Sequence, residues 1–161
     1  MDDQAGERVK FMAEAAKISR EKMHAGCGGP FGAVIVRQGK VIGRGFNRVT
    51  SDNDPTAHAE VVAIRDACAN IGDFNLRGAV IYTSCEPCPM CLSSIYWARL
   101  DKVYYANTRW DAAKIGFDDA EIYDEVAKSI EDRKIPMIHL ADDEATLAFE
   151  EWDKKEDKIS Y

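Results

Sequence analysis

Pro87-Cys88-Pro89-Met90-Cys91 and, upstream of it, His58-Ala59-Glu60 are the two stretches that say most about the fold and chemistry of this chain. Together they offer one imidazole and two thiols, which are ligands that zinc prefers. Because zinc takes four ligands, a fourth position is left for water, as in catalytic rather than closed structural sites. Glu60 follows the histidine by two residues and can take a proton from that water. The two stretches therefore predict a catalytic zinc site.

The cysteines are also compatible with other kinds of site. Cys85, Cys88 and Cys91 form CxxCxxC, which suits an iron–sulfur or closed zinc site, and CxxC alone can be a redox pair. Cys27 and Cys68 lie alone, so no fourth cysteine stands at a matching spacing, and the aromatic–Gly context of thioredoxin-type pairs is missing. H-x-E followed by P-C-x-x-C is instead the signature of zinc deaminases. The combination favours the catalytic site.

Helix signals place both stretches at helix starts. Pro89 suits the first position of a helix, which makes Cys88 the N-cap and puts Cys91 in the first turn. Asp54-Pro-Thr56 pairs an N-cap residue with proline and predicts a second helix that carries His58 and Glu60 in its first turns. Residues two apart on a helix point about 200° apart. The metal should therefore lie off the end of this helix, with the glutamate reaching across.

Length and composition indicate one domain spanning residues 1–161. The chain has 161 residues and 46% hydrophobic residues, which is enough for a real core. No apolar run approaches the roughly 20 residues that a membrane span needs. Met1-Asp-Asp3 is acidic and lacks the apolar region of a signal peptide. An odd count of five cysteines, three of them clustered, indicates a reducing compartment, so we expect a cytoplasmic protein without a membrane partner.

The charge distribution argues against a nucleic-acid partner. The chain carries 21 basic and 28 acidic residues, a net charge of −7. Residues 121–161 hold 13 acidic and 6 basic residues, and residues 1–120 hold 15 of each. No basic stripe is available for a phosphate backbone, and the acidic tail would repel one. Most of the tail's charges are expected to form a solvated helix face.

Hydrophobic periodicity predicts alternating helices and strands. Gly32-Ala-Val-Ile-Val36 and Val41-Ile-Gly-Arg-Gly-Phe46 form a predicted hairpin around Gln38-Gly39. Further strands are expected at 79–83, 103–106 and 136–140, and helices at 7–24, 57–71, 89–98 and 143–157, with a loop and then a helix in 111–130. This order predicts an α/β fold, a three-layer αβα sandwich with a central mixed five-stranded sheet.

Three motifs make the chain similar to the cytidine deaminase superfamily, and within it to the bacterial guanine deaminases. They are Gly29-Pro-Phe-Gly-Ala33, Pro55-Thr-Ala-His-Ala-Glu60 and Tyr82-Thr-Ser-Cys-Glu-Pro-Cys-Pro-Met-Cys91. The core motifs are shared with tRNA adenosine deaminases, and the narrower likeness comes from Asn47, Trp97, Gly116-Phe-Asp-Asp119 and Tyr161. The resemblance implies a cytidine deaminase-like fold, one Zn²⁺ per subunit held by His58, Cys88 and Cys91, and hydrolysis of guanine to xanthine and ammonia. It also implies a homodimer in which the C-terminal segment, 143–161, is exchanged and closes the partner's site as a lid.

The polar substrate contacts follow from the same resemblance. Asn47 carries an amide donor and acceptor and would serve purine acceptors such as O6 or N7, although it could also be a turn residue. Asp119 would receive N–H donors, including the departing amino group, but it could equally cap a helix. Asp118 is the alternative aspartate. Backbone N–H groups near Ala59 and Cys88 would stabilise developing negative charge.

Three aromatic side chains are expected to hold the flat base. Phe31 lies in a Gly-rich turn, where a large apolar side chain is unusual, and could stack on the base. Trp97 belongs to the helix that Cys88 begins and would combine core packing with one exposed edge. Tyr161, at a position that normally frays, would belong to the lid.

In the expected reaction, Glu60 takes the proton of water and delivers protons to N3 and to the leaving amino group. A tRNA adenosine deaminase is the main alternative and should display a basic surface, which this chain lacks. A deaminase of another small nucleobase or nucleoside is a further alternative. A zinc-stabilised structural module would leave Glu60 without a role.

Overall fold

The predicted hairpin begins the sheet of this computed structural model, which describes residues 3–161. Strands β1, Gly32–Arg37, and β2, Lys40–Phe46, pair antiparallel. The two turn residues, Gln38 and Gly39, have φ angles of 51° and 71°. A two-residue hairpin turn needs positive φ at both central positions because only this twist matches that of the flanking strands.

Two more strands complete a mixed sheet in the order β2-β1-β3-β4. Strand β3, Ala79–Cys85, pairs antiparallel with β1, and β4, Lys102–Asn107, pairs parallel with β3. The connection between the parallel strands runs through helix α4, Pro89–Trp97, as a parallel crossover requires. The mixed α/β architecture is therefore confirmed.

The prediction of a fifth strand at 136–140 is wrong for the described residues, whose sheet has four strands. This segment has no regular structure, and its apolar side chains are exposed, Ile138 by 86% and Leu140 by 89%. A strand is stabilised by hydrogen bonds to a neighbouring strand and by burial of one face. Apolar composition alone predicts neither, and within residues 3–161 no strand pairs with this segment.

Helices cover both faces of the sheet. Helix α1, Asp3–His24, packs Phe11 and Ala15 on one face with Val34 of β1. On the other face, Ile35 of β1 joins a core with residues of α3, Ala59–Ile71, and α4. Neighbouring residues of β1 thus enter opposite cores, because successive side chains of a strand point to opposite faces. The helical layers on both faces agree with the predicted three-layer arrangement.

Helix α3 begins later than expected. His58 is its N-cap, with extended backbone angles of φ −71° and ψ 156°, and a short helix α2, Val49–Asp52, precedes it unpredicted. Asp54 does not start the helix but accepts hydrogen bonds from the backbone N–H and the hydroxyl of Thr56. An aspartate and proline pair favours such a turn as much as a helix start.

Glycines on β2 let α3 lie close to the sheet. A Cβ on Gly45 would stand 2.0 Å from the carbonyl oxygen of Ala59, and one on Gly43 would stand 2.6 Å from that of Ala63. Ala59 and Ala63 are both fully buried. This contact sets the height of the first turn of α3, which carries His58 and Glu60, above the sheet.

Helix α5, Arg109–Lys114, follows β4, and its N-cap Thr108 forms a reciprocal capping box with Asp111. Contacts divide the chain into two compact units, one that ends at Asp119 and one of Ala120–Tyr161. The second unit contains α6, Ala120–Ala127, a 3₁₀ turn at Ile130–Asp132 and α7, Asp143–Lys154, which is shorter than the predicted 143–157. Within residues 3–161, no helix combines the length and apolarity needed to cross a bilayer.

Candidate active site

His58, Cys88 and Cys91 come together as the sequence predicts. Their ligand atoms all lie within 4.8 Å of one another, and they form the one such group among the described residues. The Nδ1 atom of His58 stands 3.6 Å from the Sγ atom of Cys88 and 3.4 Å from that of Cys91. His58 therefore presents Nδ1 to both sulfurs.

These distances fit a zinc ion. Tetrahedral zinc with Zn–N of about 2.1 Å and Zn–S of about 2.3 Å separates nitrogen from sulfur by about 3.6 Å. One imidazole and two thiols also match the ligand types that zinc prefers. Three protein ligands leave a fourth position open, as a catalytic site requires.

Two helix N-termini meet at the ligand set. Cys88 is the N-cap of α4, Pro89 stands at the first helical position, and His58 is the N-cap of α3. Because His58 precedes the helix, the ligand set lies off the end of α3, as predicted. The partial positive charge of a helix N-terminus favours thiolate at this place.

The thiols divide the roles of proton donor and acceptor. The hydrogen bond from Cys91 and that from His58 lower the pKa of Cys88 to about 4. The hydrogen bond to Cys88, together with burial, raises the pKa of Cys91. The hydrogen bond to Cys88 also raises the pKa of His58.

Glu60 is buried beside the ligand set, with 5% of its surface exposed. Its Oε2 atom lies 3.3 Å from the Sγ atom of Cys91, and its Oε1 atom accepts a 2.8 Å hydrogen bond from the hydroxyl of Thr83. Burial raises the pKa of Glu60, and the Thr83 hydrogen bond opposes this rise. A buried carboxylate with a raised pKa next to an open metal position suits acid–base work.

Asn47 is buried at the end of β2 in a fixed orientation. Its Oδ1 atom accepts hydrogen bonds from the backbone N–H groups of Gly29, at 3.2 Å, and Val49, at 3.3 Å. Its Nδ2 amino group takes no part in these bonds and remains a donor. A Cβ on Gly28 would stand 2.2 Å from the carbonyl oxygen and 2.6 Å from the Oδ1 atom of Asn47, so only glycine allows this close approach.

Phe31 and Asp119 lie in the same unit as the ligand set. Phe31 is half-buried and meets Phe117 edge to face, with ring centroids 4.9 Å apart. Asp119 is half-buried, whereas Asp118 is exposed. Burial raises the pKa of Asp119, and the negative charge of a Cys88 thiolate adds to this rise.

Comparison with known proteins identifies the site. Residues 6–107 match the zinc-binding region of cytidine and deoxycytidylate deaminases. The chain belongs to this family. Its zinc-binding region includes His58, Cys88 and Cys91, so zinc is the cofactor of the ligand set.

Relatives within the family differ in how much of the chain they match. Guanine deaminase of Bacillus subtilis (strain 168) is 50% identical over 151 residues, 94% of this chain and 97% of that protein. The X-ray structure of guanine deaminase from Bacillus subtilis aligns with a TM-score of 0.92 at 47% identity, covering 100% of this chain and 99% of that one. The tRNA-specific adenosine deaminase of Agrobacterium fabrum (strain C58) is 43% identical over 99 residues, 62% of this chain and 64% of that protein.

Two of the aromatic residues predicted to contact the substrate, Trp97 and Tyr161, do not lie beside the ligand set within its own unit. Trp97 is the last residue of α4, whereas Cys88 is its N-cap. The two residues therefore lie at opposite ends of the helix, which rises about 1.5 Å per residue. Trp97 is 67% exposed, so the expected core packing is wrong. Tyr161 belongs to the second unit and is 71% exposed. Both substrate roles stay predictions.

Ala59 occupies the place that its predicted role requires. It is the first residue of α3 and fully buried. The first N–H groups of a helix have no acceptor within the helix and can bind an anion or a developing negative charge. Its role toward substrate stays a prediction.

Thr83, Phe117 and Gly28 are the residues at the site that sequence reasoning missed. Thr83 lies in the motif that runs from Tyr82 to Cys91, but only its hydrogen bond to Glu60 shows that it belongs to the site. Phe117 lies in the motif that ends at Asp119, and nothing in the sequence indicates that its ring contacts Phe31. Cys85, in contrast, is the last residue of β3, two residues beyond the predicted end of this strand at 83, and lies outside the ligand set, its Sγ atom 3.7 Å from the carbonyl oxygen of Thr108.

Proposed function

We propose that this protein is a zinc-dependent guanine deaminase that hydrolyses guanine to xanthine and ammonia. The observation that carries the proposal is the buried carboxylate of Glu60, placed 3.3 Å from a ligand sulfur at an open three-ligand site. The choice of guanine is supported by the relative from Bacillus subtilis, whose similarity extends over 94% of this chain.

The chain's own residues account for the acid–base steps. Zinc held by His58, Cys88 and Cys91 would supply Lewis acidity that lowers the pKa of water. Glu60 accepts a proton from the attacking water and passes it to N3. It then accepts the proton of the hydroxyl group formed on C2 and passes it to the amino group, which leaves as ammonia. Water and guanine thus yield ammonia and xanthine with no other reactant.

Substrate contacts are proposed for Asn47, Phe31, Ala59 and Asp119. Asn47 would present its Nδ2 donor to O6 or N7 of the purine, because its oxygen is already bound to two backbone N–H groups. Phe31, supported by Phe117, would contact the ring face. Asp119 in its ionised form would accept N–H groups of the base. Trp97 and Tyr161 complete the set of proposed substrate contacts.

We also propose a cytoplasmic homodimer with one zinc ion per subunit, in which the C-terminal segment of one subunit closes the site of the other. The support is the exposure of the segment at 136–140, whose isoleucine and leucine side chains need a cover that a second copy could supply. The outer edge of β4 is likewise free of a neighbouring strand among the described residues.

A substrate panel tests the proposed function. Zinc-loaded protein is incubated separately with guanine, adenine, cytosine, guanosine and tRNA, and ammonia and the product base are measured. Guanine should yield xanthine and ammonia in equal amounts. If inosine forms in tRNA instead, or if only another base releases ammonia, guanine is not the substrate and the proposal is wrong. The net charge of −7 argues against tRNA.

A further inference from the structure

The two oxygens of the Glu60 carboxylate lie in different environments. Oε1 accepts the hydroxyl hydrogen of Thr83 at 2.8 Å, whereas Oε2 faces the ligand set, 3.3 Å from the Sγ atom of Cys91. Thr83 is fully buried and Glu60 nearly so. One oxygen is therefore held by the protein and the other is directed at the place where the chemistry occurs.

We propose that Thr83 is a positioning residue for Glu60. Its hydroxyl fixes the rotation of the carboxylate, so that Oε2 alone exchanges protons with water and substrate. The inference rests on the proposed role of Glu60 as the acid–base group. Thr83 itself touches no reacting atom and acts through the carboxylate.

The position of Thr83 on the sheet makes it a firm support. It lies on β3, which is paired on both sides, and its register partners are Ala33 of β1 and Tyr105 of β4. A β-branched side chain is also stiff at χ1. The terminal torsion of glutamate, in contrast, is broad and does not orient the carboxylate by itself. The hydroxyl supplies the orientation that the glutamate side chain lacks.

Rotation of the carboxylate would slow proton transfer. A general base must lie within about 2.6–3.2 Å of the atom whose proton it takes. A misplacement of about 1 Å can cost about 100-fold in rate. Loss of the hydroxyl should therefore lower kcat while the binding of the base is retained.

Ser84 is a matched control on the same strand. Its Oγ atom is also buried, but it accepts a hydrogen bond from the backbone N–H of Gly32 at 3.0 Å and has no part in the Glu60 contact. Neighbouring strand residues point to opposite faces. Removal of the Ser84 hydroxyl therefore perturbs the same strand but leaves the hydrogen bond to the Glu60 carboxylate in place.

The test compares Thr83→Val, Thr83→Ser and Ser84→Ala in kcat, KM, zinc content and unfolding temperature. In Thr83→Val, kcat should fall about 10- to 100-fold with KM within about twofold of the parent and zinc retained. Thr83→Ser keeps the donor and should restore most of kcat. Ser84→Ala should keep kcat even where it lowers the unfolding temperature. An equal loss in all three variants, or no loss in Thr83→Val, would overturn the inference.

A double-mutant cycle shows whether Thr83 acts through Glu60. Added to Glu60→Gln, the Thr83→Val change should cause no further loss of residual turnover, because the group that it orients is already disabled. A further loss equal to that in the parent would mean an independent role and would contradict the inference.

Crystal structures of Thr83→Val and Thr83→Ser give a readout that needs no activity. The carboxylate of Glu60 should rotate or take two orientations in the valine variant and keep its orientation in the serine variant. An unchanged carboxylate in Thr83→Val would refute the positioning role. Failure of the parent to deaminate guanine would count against the proposed function, and these structures would still decide the inference.

Discussion

At the scale of single residues, burial gives Glu60 its chemical character. Removal from water disfavours the charged carboxylate and raises the pKa of Glu60, and hydrogen bonds partly restore the balance. A carboxyl group poised in this way can both accept and release a proton within one reaction cycle. The neighbouring ligands, His58, Cys88 and Cys91, remain available for the metal.

Glu60→Gln should retain zinc and lose nearly all turnover. The amide is nearly the same shape but cannot cycle a proton, and general acid–base catalysis contributes about 10²–10⁴-fold. The metal should stay because Glu60 is not among the ligands. Zinc content and initial rates of the purified variant check both parts. Retention of zinc with more than about half of the parent turnover would rule out the proton-transfer role, given that expected loss.

Substitution of each cysteine by alanine should separate ligands from bystanders. Cys88→Ala and Cys91→Ala should lose the metal, whereas Cys27→Ala, Cys68→Ala and Cys85→Ala should keep it. Cys85 is the sharpest case, because it completes CxxCxxC yet lies outside the ligand group. Metal analysis decides the point, and zinc loss from a folded Cys85→Ala would favour a closed structural site.

At the scale of elements, the site depends on two helices that begin at the same place. The N-caps of α3 and α4 provide His58 and Cys88, and the first turns provide Glu60 and Cys91. The height of α3 above the sheet is set by its contact with Gly43 and Gly45 of β2. A change in this contact should displace the first turn of α3 and thereby move His58 relative to Cys88 and Cys91.

Gly45→Ala should destabilise the protein and weaken zinc binding. The added Cβ would stand 2.0 Å from the carbonyl oxygen of Ala59 and 2.4 Å from the backbone nitrogen of Ala63, so the helix must shift. Overpacking of this kind typically costs about 1–3 kcal/mol in the free energy of unfolding. Urea unfolding and zinc titration measure the two effects.

Gly6→Ala is the matched control for this change. A Cβ on Gly6 of α1 meets no atom within 4 Å, so the substitution should leave zinc binding unchanged. Alanine in place of helical glycine should raise the free energy of unfolding by about 0.5–1 kcal/mol. Equal effects of the two substitutions would show that α3 does not need the space beside Gly45.

At the scale of the whole molecule, the first unit contains the ligand set, and Tyr161 ends the second. Deletion of Ile159-Ser160-Tyr161 should reduce guanine deamination without unfolding the protein. A lid excludes water and holds the base, so its loss should lower kcat, raise KM or do both. Kinetics and unfolding temperature of the shortened chain test this. Full activity would remove Tyr161 from the site.

The proposed exchange of the C-terminal segment between subunits can be tested separately. Mixed dimers of a Glu60→Gln chain and a shortened chain should regain part of the activity that each parent lacks, because the inactive chain lends its tail to an intact site. Dimers of each parent alone serve as controls. Failure of correctly formed mixed dimers to regain activity would mean that any lid acts within its own subunit.

The sequence by itself determined the local features. The hairpin, the helix start at Pro89 and the ligand set could be predicted because they depend on short spacings and on turn and cap chemistry. The role assigned to Glu60 stays a prediction. The predicted helix start near Asp54 was wrong because the same residues also favour a turn.

Only the tertiary structure decided features that depend on distant residues. The bond from Thr83 to Glu60, the orientation of Asn47 by Gly29 and the contact of Phe31 with Phe117 join segments far apart in the chain. Residues 136–140 are apolar enough for a strand, yet they form none because a strand requires a partner along its edge. Spacing within a segment reports the preference of that segment, whereas pairing between segments depends on the packing of the whole chain.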